Sequence, residues 1–278
     1  MQHQIEQITT SDGVTLYAQT WLPEGKPKGM LAFAHGGGEH SDRYAHVAEA
    51  LTAAGHGLHM ADLRGYGRSP GQRGHIDAWE DYQRDLAAMM AHARKVAPDA
   101  VQFLGGHSLG GLIALGMALS NPEGYAGVVV SGPFLQTGWE PTAWKISLAR
   151  VLKGIVPKLA MDSDFDPNNV TSNPAVLEAY KTDPMITNMV SMGAAMTILA
   201  AQERIRTGSA AMRLPFLIMH GTEDKLAAPA ASKVFYEGAT AVADKKLVYY
   251  EGYYHEIFNE VNNQPVLGEL IAWLNAHS

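Results

Sequence analysis

The sequence of 278 residues contains no cysteine. Disulfide bonds, thiolate nucleophiles, iron–sulfur clusters and cysteine-based zinc sites are therefore excluded. Basic residues are also few, with 21 Lys and Arg against 28 Asp and Glu, which gives a formal net charge of −7. Because nucleic-acid binding requires a basic surface, this charge balance argues against a nucleic-acid partner.

Long apolar runs are missing as well. The N-terminal stretch has no basic start followed by an apolar run, so it lacks the pattern of a secretory signal. Apolar stretches elsewhere are short or interrupted, whereas a membrane-spanning helix needs about 20 apolar residues. We therefore expect a cytoplasmic protein. The hydrophobic fraction of 46% and the charged fraction of 18% are those of an ordinary globular protein, which excludes a disordered chain and a coiled coil.

Short apolar segments alternate with helical patterns along most of the chain. The apolar segments predict strands at residues 14–21, 30–35, 57–61, 101–105, 126–130, 215–220 and 246–250. Helical spacing predicts helices at residues 44–54, 79–96, 109–119, 230–238 and 266–277. Such alternation is typical of the α/β class, in which helices cover both faces of a mostly parallel sheet.

One long segment interrupts this alternation. From Phe134 to Met212 the sequence predicts helices and loops. We interpret residues 134–212 as a helical cap, and residues 1–133 and 213–278 as the core domain. In the cap, candidate residues for an acyl-chain site recur at helical spacing: Met189, Met192, Met196 and Leu199. The alternative for these side chains is ordinary core packing.

The segment Gly106-His107-Ser108-Leu109-Gly110 matches the pattern G-x-S-x-G between a predicted strand and a predicted helix. A serine in this context lies on a strained turn that holds its hydroxyl clear of the sheet. The N-terminus of the following helix favours developing negative charge. Ser108 is therefore the candidate nucleophile, and the alternative is a tight glycine turn with an exposed serine.

A nucleophilic serine needs a histidine base and a carboxylate, which follow it in the chain order serine, acid, histidine. His255 follows the last predicted strand, and Asp224 follows the strand before it. Both positions lie where ligands bind in open α/β sheets. Glu223 is the adjacent alternative to Asp224. His220 ends a predicted strand, and we expect its ring to be packed near the strand end.

Three glycines follow an early predicted strand in the segment from His35 to His40. An oxyanion hole needs backbone N–H groups, and glycines let the chain approach closely. We predict Gly37 and Leu109 as the two donors, with Gly36 as the alternative to Gly37. A phosphate-binding loop would require a following Lys-Ser/Thr pair, which is absent. No second cluster completes a metal site with this segment.

Together these motifs resemble the α/β-hydrolase superfamily and, within it, the monoacylglycerol lipase and lysophospholipase-like family, which is grouped with serine aminopeptidase-like hydrolases. The matching motifs run in family order at residues 35–44, 62–69, 106–111, 220–224 and 254–260. The resemblance implies the α/β-hydrolase fold, with an eight-stranded, mostly parallel sheet and a helical cap inserted after the sixth strand. It also implies the catalytic triad Ser108, Asp224 and His255, and the oxyanion donors Gly37 and Leu109.

The resemblance also bears on the substrate. In monoacylglycerol lipases, residues that match Glu39 and Arg43 lie near the glycerol head, and we predict both as substrate-binding. The alternative is a structural ion pair beneath the loop. Some family members carry a second histidine three positions after the catalytic one, associated with glycerol recognition. This chain has Phe258 there, which argues against strict monoacylglycerol specificity.

We therefore predict a serine carboxylester hydrolase that acts on mono-acyl lipid esters such as monoacylglycerols, without cofactor or metal. Its partner is a small-molecule acyl ester, and we expect transient contact of the cap with a membrane or micelle. The alternatives are a lysophospholipase or a broad-specificity esterase and, less favoured, a serine peptidase or an acyltransferase. A non-catalytic ligand receptor on the same scaffold would often lack a triad member, whereas all three are present here.

Overall fold

The computed structural model describes residues 1–139, 144, 147, 150, 154–163 and 165–278. In these residues ten strands form two sheets. The larger sheet contains β1 (Gln2–Thr9), β2 (Thr15–Leu22), β3 (Gly29–Ala34), β4 (Gly57–Ala61), β5 (Val101–His107), β6 (Gly127–Ser131), β9 (Phe216–Gly221) and β10 (Lys245–Tyr250). The smaller sheet pairs β7 (Ala160–Asp162) with β8 (Met189–Ser191) in antiparallel orientation.

The larger sheet has the strand order β1-β2-β4-β3-β5-β6-β9-β10. Only β1–β2 and β2–β4 pair in antiparallel orientation, and the other pairs are parallel. The predicted eight-stranded, mostly parallel sheet is therefore confirmed. Strand β1 has no counterpart among the predicted segments, because it is a mostly exposed edge strand with few apolar residues.

Helices cover both faces of this sheet. The α-helices whose bounds lie within the described residues are α1 (Ala45–Ala53), α2 (Trp79–Val96), α3 (Leu109–Ser120), α4 (Pro174–Thr182), α5 (Met192–Thr207), α6 (Pro229–Gly238) and α7 (Gln264–Ala276). Helices α1 and α7 pack on one face, and α2, α3 and α6 pack on the other. Strand β3 shows the alternation that this requires, since Leu31 and Phe33 join one core and Met30 and Ala32 the other. Among the described residues, no helix is long and apolar enough to span a bilayer.

Residues 134–212, called the insertion below, connect β6 to β9. The prediction of helices and loops alone is wrong here, because the insertion contains the β7–β8 sheet. The prediction that Met189 shares a helix with Met192, Met196 and Leu199 is also wrong, since Met189 lies in β8. The helix begins only at Met192 because the Ser191 hydroxyl accepts a hydrogen bond from the Ala194 N–H and caps α5.

The insertion is hydrogen-bonded to the loops at the carboxyl end of the sheet. The Thr187 N–H donates to the Gly38 carbonyl over 3.0 Å, and the Ser191 N–H donates to the Gly74 carbonyl over 2.9 Å. Its Asp183 accepts a hydrogen bond from the His40 Nε2, at 2.8 Å. These contacts place the insertion directly against the glycine-rich loop that follows β3.

Candidate active site

Ser108 lies on the turn between β5 and α3. It is the one non-glycine residue with a positive φ in the described part of the chain, with φ 51° and ψ −115°. The flanking glycines allow the turn: a β-carbon on Gly106 would lie 2.3 Å from the Gly110 carbonyl, and one on Gly110 would lie 2.0 Å from the Ala34 carbonyl oxygen. The strained strand-to-helix geometry expected of a nucleophilic serine is therefore present.

Asp224 lies in the loop after β9 and is buried. Its Oδ1 accepts hydrogen bonds from the backbone N–H groups of Leu226 and Ala227, at 2.8 and 2.9 Å. Its Oδ2 accepts from His255 Nδ1 at 2.7 Å and from His220 Nε2 at 2.9 Å. Burial alone would raise the pKa of Asp224, but the charge of His255 and the bonds from both histidines hold it well below its usual range. This carboxyl group is thus ionised at neutral pH.

His255 lies in the loop after β10, and its Nδ1 donates to Asp224. Because a carboxylate oxygen only accepts, the Nε2 of neutral His255 is left with a free lone pair. Burial alone would lower the pKa of His255, but the charge of Asp224 raises it above its ordinary value. The neighbouring His107 ring lies 4.6 Å from the His255 ring, and burial together with the charge of His255 lowers the pKa of His107 to about 3. His107 is therefore neutral and adds no repulsion when His255 takes up a proton.

The predicted oxyanion donors lie side by side. A β-carbon built on Gly37 would lie 3.5 Å from Leu109 Cδ2. The Gly36 N–H is engaged, since it donates to Glu39 Oε1 over 2.6 Å. Within the described residues, the N–H groups of Gly37 and Leu109 have no protein acceptor. The geometry therefore favours Gly37 over Gly36, and the N-terminus of α3 adds its partial positive charge.

Arg43 links two buried carboxylates beside the site. Its guanidinium donates to Glu39 Oε2 at 2.6 Å and to both oxygens of Glu256 at 2.5 and 2.6 Å. It also lies over the Tyr180 ring, 4.9 Å from the ring centroid. Burial alone would raise the pKa of Glu39, but the charge of Arg43 lowers it. Glu39 is therefore held as a carboxylate beside the Arg43 guanidinium.

Arg43 does not border the cavity, and its guanidinium is bonded to Glu39. Its contacts are those of the structural ion pair that was the alternative to substrate binding. Glu39 does border it, as does Glu256. Glu256 is not among the residues predicted from the sequence, although its position next to His255 was a usable signal. No three His, Asp or Glu side chains in the described ranges are arranged to hold a metal ion.

Ser108 and His255 border one cavity of about 250 Å³. This volume far exceeds the roughly 10–15 Å³ that one water molecule requires, so an organic ligand can enter. All four residues predicted for an acyl-chain site border this cavity: Met189, Met192, Met196 and Leu199. Further apolar lining comes from Phe134, Trp139, Met161, Phe165, Ile198 and Leu226. The cavity is thus mainly apolar, and its acidic lining residues are Glu39, Asp162 and Glu256.

Comparisons with known proteins agree with this geometry. The sequence model of the family described as serine aminopeptidase, S33 matches residues 25–262. A monoacylglycerol lipase of Mycolicibacterium smegmatis is 32% identical over 266 residues, which are 95% of this chain and 94% of that protein. An uncharacterized abhydrolase domain-containing protein of Dictyostelium discoideum is 31% identical over 99% of this chain, which spans only 29% of that protein. The crystal structure of Paleococcus ferrophilus monoacylglycerol lipase matches with a TM-score of 0.86 and 32% identity, covering 95% of this chain and 99% of that one.

Proposed function

Because this chain belongs to the serine aminopeptidase S33 family of α/β-hydrolases, we propose that it is a serine carboxylester hydrolase of mono-acyl lipid esters such as monoacylglycerols. The observation that carries the proposal is an apolar cavity that contains an elbow serine together with a histidine bound to a buried carboxylate. The two monoacylglycerol lipases at 32% identity over nearly the whole chain support the same substrate class.

In the proposed reaction the Ser108 Oγ attacks the acyl carbonyl carbon, and His255 Nε2 takes the hydroxyl proton. The carbonyl oxygen becomes an oxyanion that accepts hydrogen bonds from the N–H groups of Gly37 and Leu109. The intermediate expels the alcohol, which receives the proton from His255. Water then attacks the acyl-enzyme with His255 as base, releasing the fatty acid and Ser108. Throughout, the ionised Asp224 stabilises the imidazolium form of His255.

We further propose that the insertion acts as a cap that supplies the acyl-chain site. Helix α5 contributes Met192, Met196 and Leu199 to the cavity, and thioether and aliphatic side chains suit a flexible alkyl chain. The alcohol would lie towards Glu39 and Glu256, whose carboxylates accept hydrogen bonds from hydroxyl groups. Phe258 packs in the core against Phe33, with ring centroids 6.2 Å apart, so it offers no polar group to a glycerol. This favours a tolerant selection of the alcohol.

A panel of esters tests the proposed function. We expect the highest kcat/KM for monoacylglycerols, lower values for nitrophenyl esters and the lowest for lysophospholipids, together with labelling of Ser108 by a serine-directed fluorophosphonate. Labelling of Ser108 without hydrolysis of any ester in the panel would refute the proposed substrate class. Failure to label Ser108 would instead favour a non-catalytic receptor.

Chain-length selectivity tests the acyl-chain site. Each buried CH₂ contributes about 0.8 kcal/mol, so kcat/KM should rise about fourfold per carbon until the cavity is filled. Tryptophan at Met196 or Leu199 should shorten the cavity, so medium and long chains lose kcat/KM while short nitrophenyl esters keep it. The matched control is tryptophan at Ala200, which lies on the same helix but is exposed. An equal loss for all chain lengths, with a lower Tm, would mean that the side chains only fill the core.

Membrane contact of the insertion and the location of the protein in the cell stay predictions. Among its described residues, the insertion exposes five large apolar side chains that could contact a membrane or micelle: Trp144, Ile155, Val156, Leu159 and Met189. Co-sedimentation with phosphatidylcholine vesicles would measure that contact, and no binding would remove it from the proposal. The cytoplasmic location is the second of these predictions.

A further inference from the structure

His220 lies near the end of β9 and is fully buried. Its Nε2 lies 2.9 Å from Asp224 Oδ2 and 3.1 Å from the Ala227 carbonyl oxygen. Because both partners can only accept, Nε2 carries the proton. Its Nδ1 lies 2.8 Å from the Ser232 Oγ in α6, so the hydroxyl can donate to Nδ1 and hold the ring in place.

Two imidazoles therefore share one oxygen of the buried carboxylate, since Asp224 Oδ2 also accepts from His255 Nδ1 at 2.7 Å. We propose that His220 is a positioning residue, which orients Asp224 and limits how strongly its Oδ2 binds His255. The inference rests on the proposed function, because it assigns Asp224 and His255 to the triad.

The physical basis is the complete set of hydrogen bonds around Asp224. Its Oδ1 is held by two backbone N–H groups and its Oδ2 by two imidazoles, which together fix the rotation of the carboxylate. Without the N–H of His220, Oδ2 loses one donor and rotation is less restrained. The negative charge on Oδ2 is then no longer shared with a second donor, so Oδ2 binds the His255 imidazolium more tightly. Tighter binding of the protonated form raises the pKa of His255.

The other charged and titratable groups around His255 do not contact His220. They are the neutral His107 ring and the carboxylates Glu39 and Glu256, both of which are paired with Arg43. These contacts stay in place when only His220 is changed. A shift of the acid limb of the pH profile in a His220 variant therefore reports the Asp224–His255 bond.

The test compares His220→Leu, which removes the N–H, with His220→Gln, which retains an N–H donor. The matched control is His59→Leu, because His59 is also fully buried but is bonded to Thr20 Oγ1, at 2.8 Å, on the other side of β3. A short nitrophenyl ester gives kcat and KM, and fatty-acid release gives the pH profile of kcat/KM.

For His220→Leu we expect kcat to fall about 10- to 100-fold, the loss typical of one hydrogen bond to a charged group. KM should stay within about twofold, because His220 does not border the cavity. The acid limb of kcat/KM should move to higher pH. His220→Gln should recover most of kcat and restore the limb, and His59→Leu should lower Tm without either kinetic change.

Wild-type kcat and an unshifted acid limb in His220→Leu would overturn the inference, as would a His220→Gln variant no better than His220→Leu. Should His220→Leu fail to fold, the ¹⁵N NMR spectrum of the wild-type imidazoles decides. We expect His220 protonated at Nε2 and not at Nδ1, and the opposite tautomer would overturn the inference. Loss of the proposed function is distinguishable, because the wild type would then hydrolyse no ester at all.

Discussion

Replacing Ser108 by alanine is expected to lower kcat for every ester by about 10⁶-fold, since removal of the nucleophile of such a triad eliminates the acyl-enzyme route. The fold should persist, because alanine and serine both carry a β-carbon and therefore meet the same constraint at this positive φ. In addition, the Ser108 side chain does not cap α3. The measurement is kcat on a monoacylglycerol, with Tm recorded in parallel.

Ser120→Ala is the matched control for this substitution. Ser120 ends the same helix, and its hydroxyl donates only to the Gly116 and Met117 carbonyls of that helix. Its loss should leave kcat unchanged. If Ser108→Ala kept more than about one per cent of wild-type activity after contaminating esterases are excluded, Ser108 would not be the nucleophile.

Asp224→Asn is expected to lower kcat by roughly 10⁴-fold, as in other triads in which the carboxylate becomes an amide. The structure gives a specific reason. All four partners of Asp224 are N–H donors, two on each oxygen, so either orientation of an asparagine places its NH₂ group against donors. His255 then loses both its fixed tautomer and the anion that stabilises its imidazolium form.

The pH profile of Asp224→Asn should change with a defined sign. The charge of Asp224 raises the pKa of His255, so removing it should lower that pKa, and the acid limb of the residual kcat/KM should move to lower pH. Glu223→Gln is the control, since Glu223 is exposed and adjacent in sequence. If Glu223→Gln lowered kcat more than Asp224→Asn, Asp224 would not be the acid of the triad.

Much of this site could be predicted because its residues follow apolar strands. Parallel strands bring their carboxyl ends to one edge, so Ser108, Asp224 and His255 could be predicted to meet from their order along the chain. The side-chain bonds could not, because the conformation of the loops decides them. His220 was predicted only as a packed residue, and its bond to the Asp224 oxygen shared with His255 depends on the turn between them.

The wrong predictions of secondary structure at β1 and Met189 also arise from contacts that the sequence pattern does not show. Strand β1 is paired on one side and mostly exposed, so its stability comes from its backbone bonds to β2 and leaves no apolar pattern. Met189 has the spacing of a helical residue, but pairing with Asp162 places it in a strand. Part of the predicted cap lies outside the described residues, namely 140–143, 145, 146, 148, 149, 151–153 and 164.

The hydrogen bonds between the insertion and the glycine-rich loop have a consequence for protein engineering. The loop that carries Gly37 is tied to the insertion at two positions, through the Gly38 carbonyl to Thr187 and through His40 to Asp183. The insertion is therefore not an interchangeable module placed on a complete hydrolase. A chimera that takes residues 134–212 from a relative must carry equivalents of Asp183 and Thr187, or the scaffold that holds the amide of Gly37 is left without two of its supports.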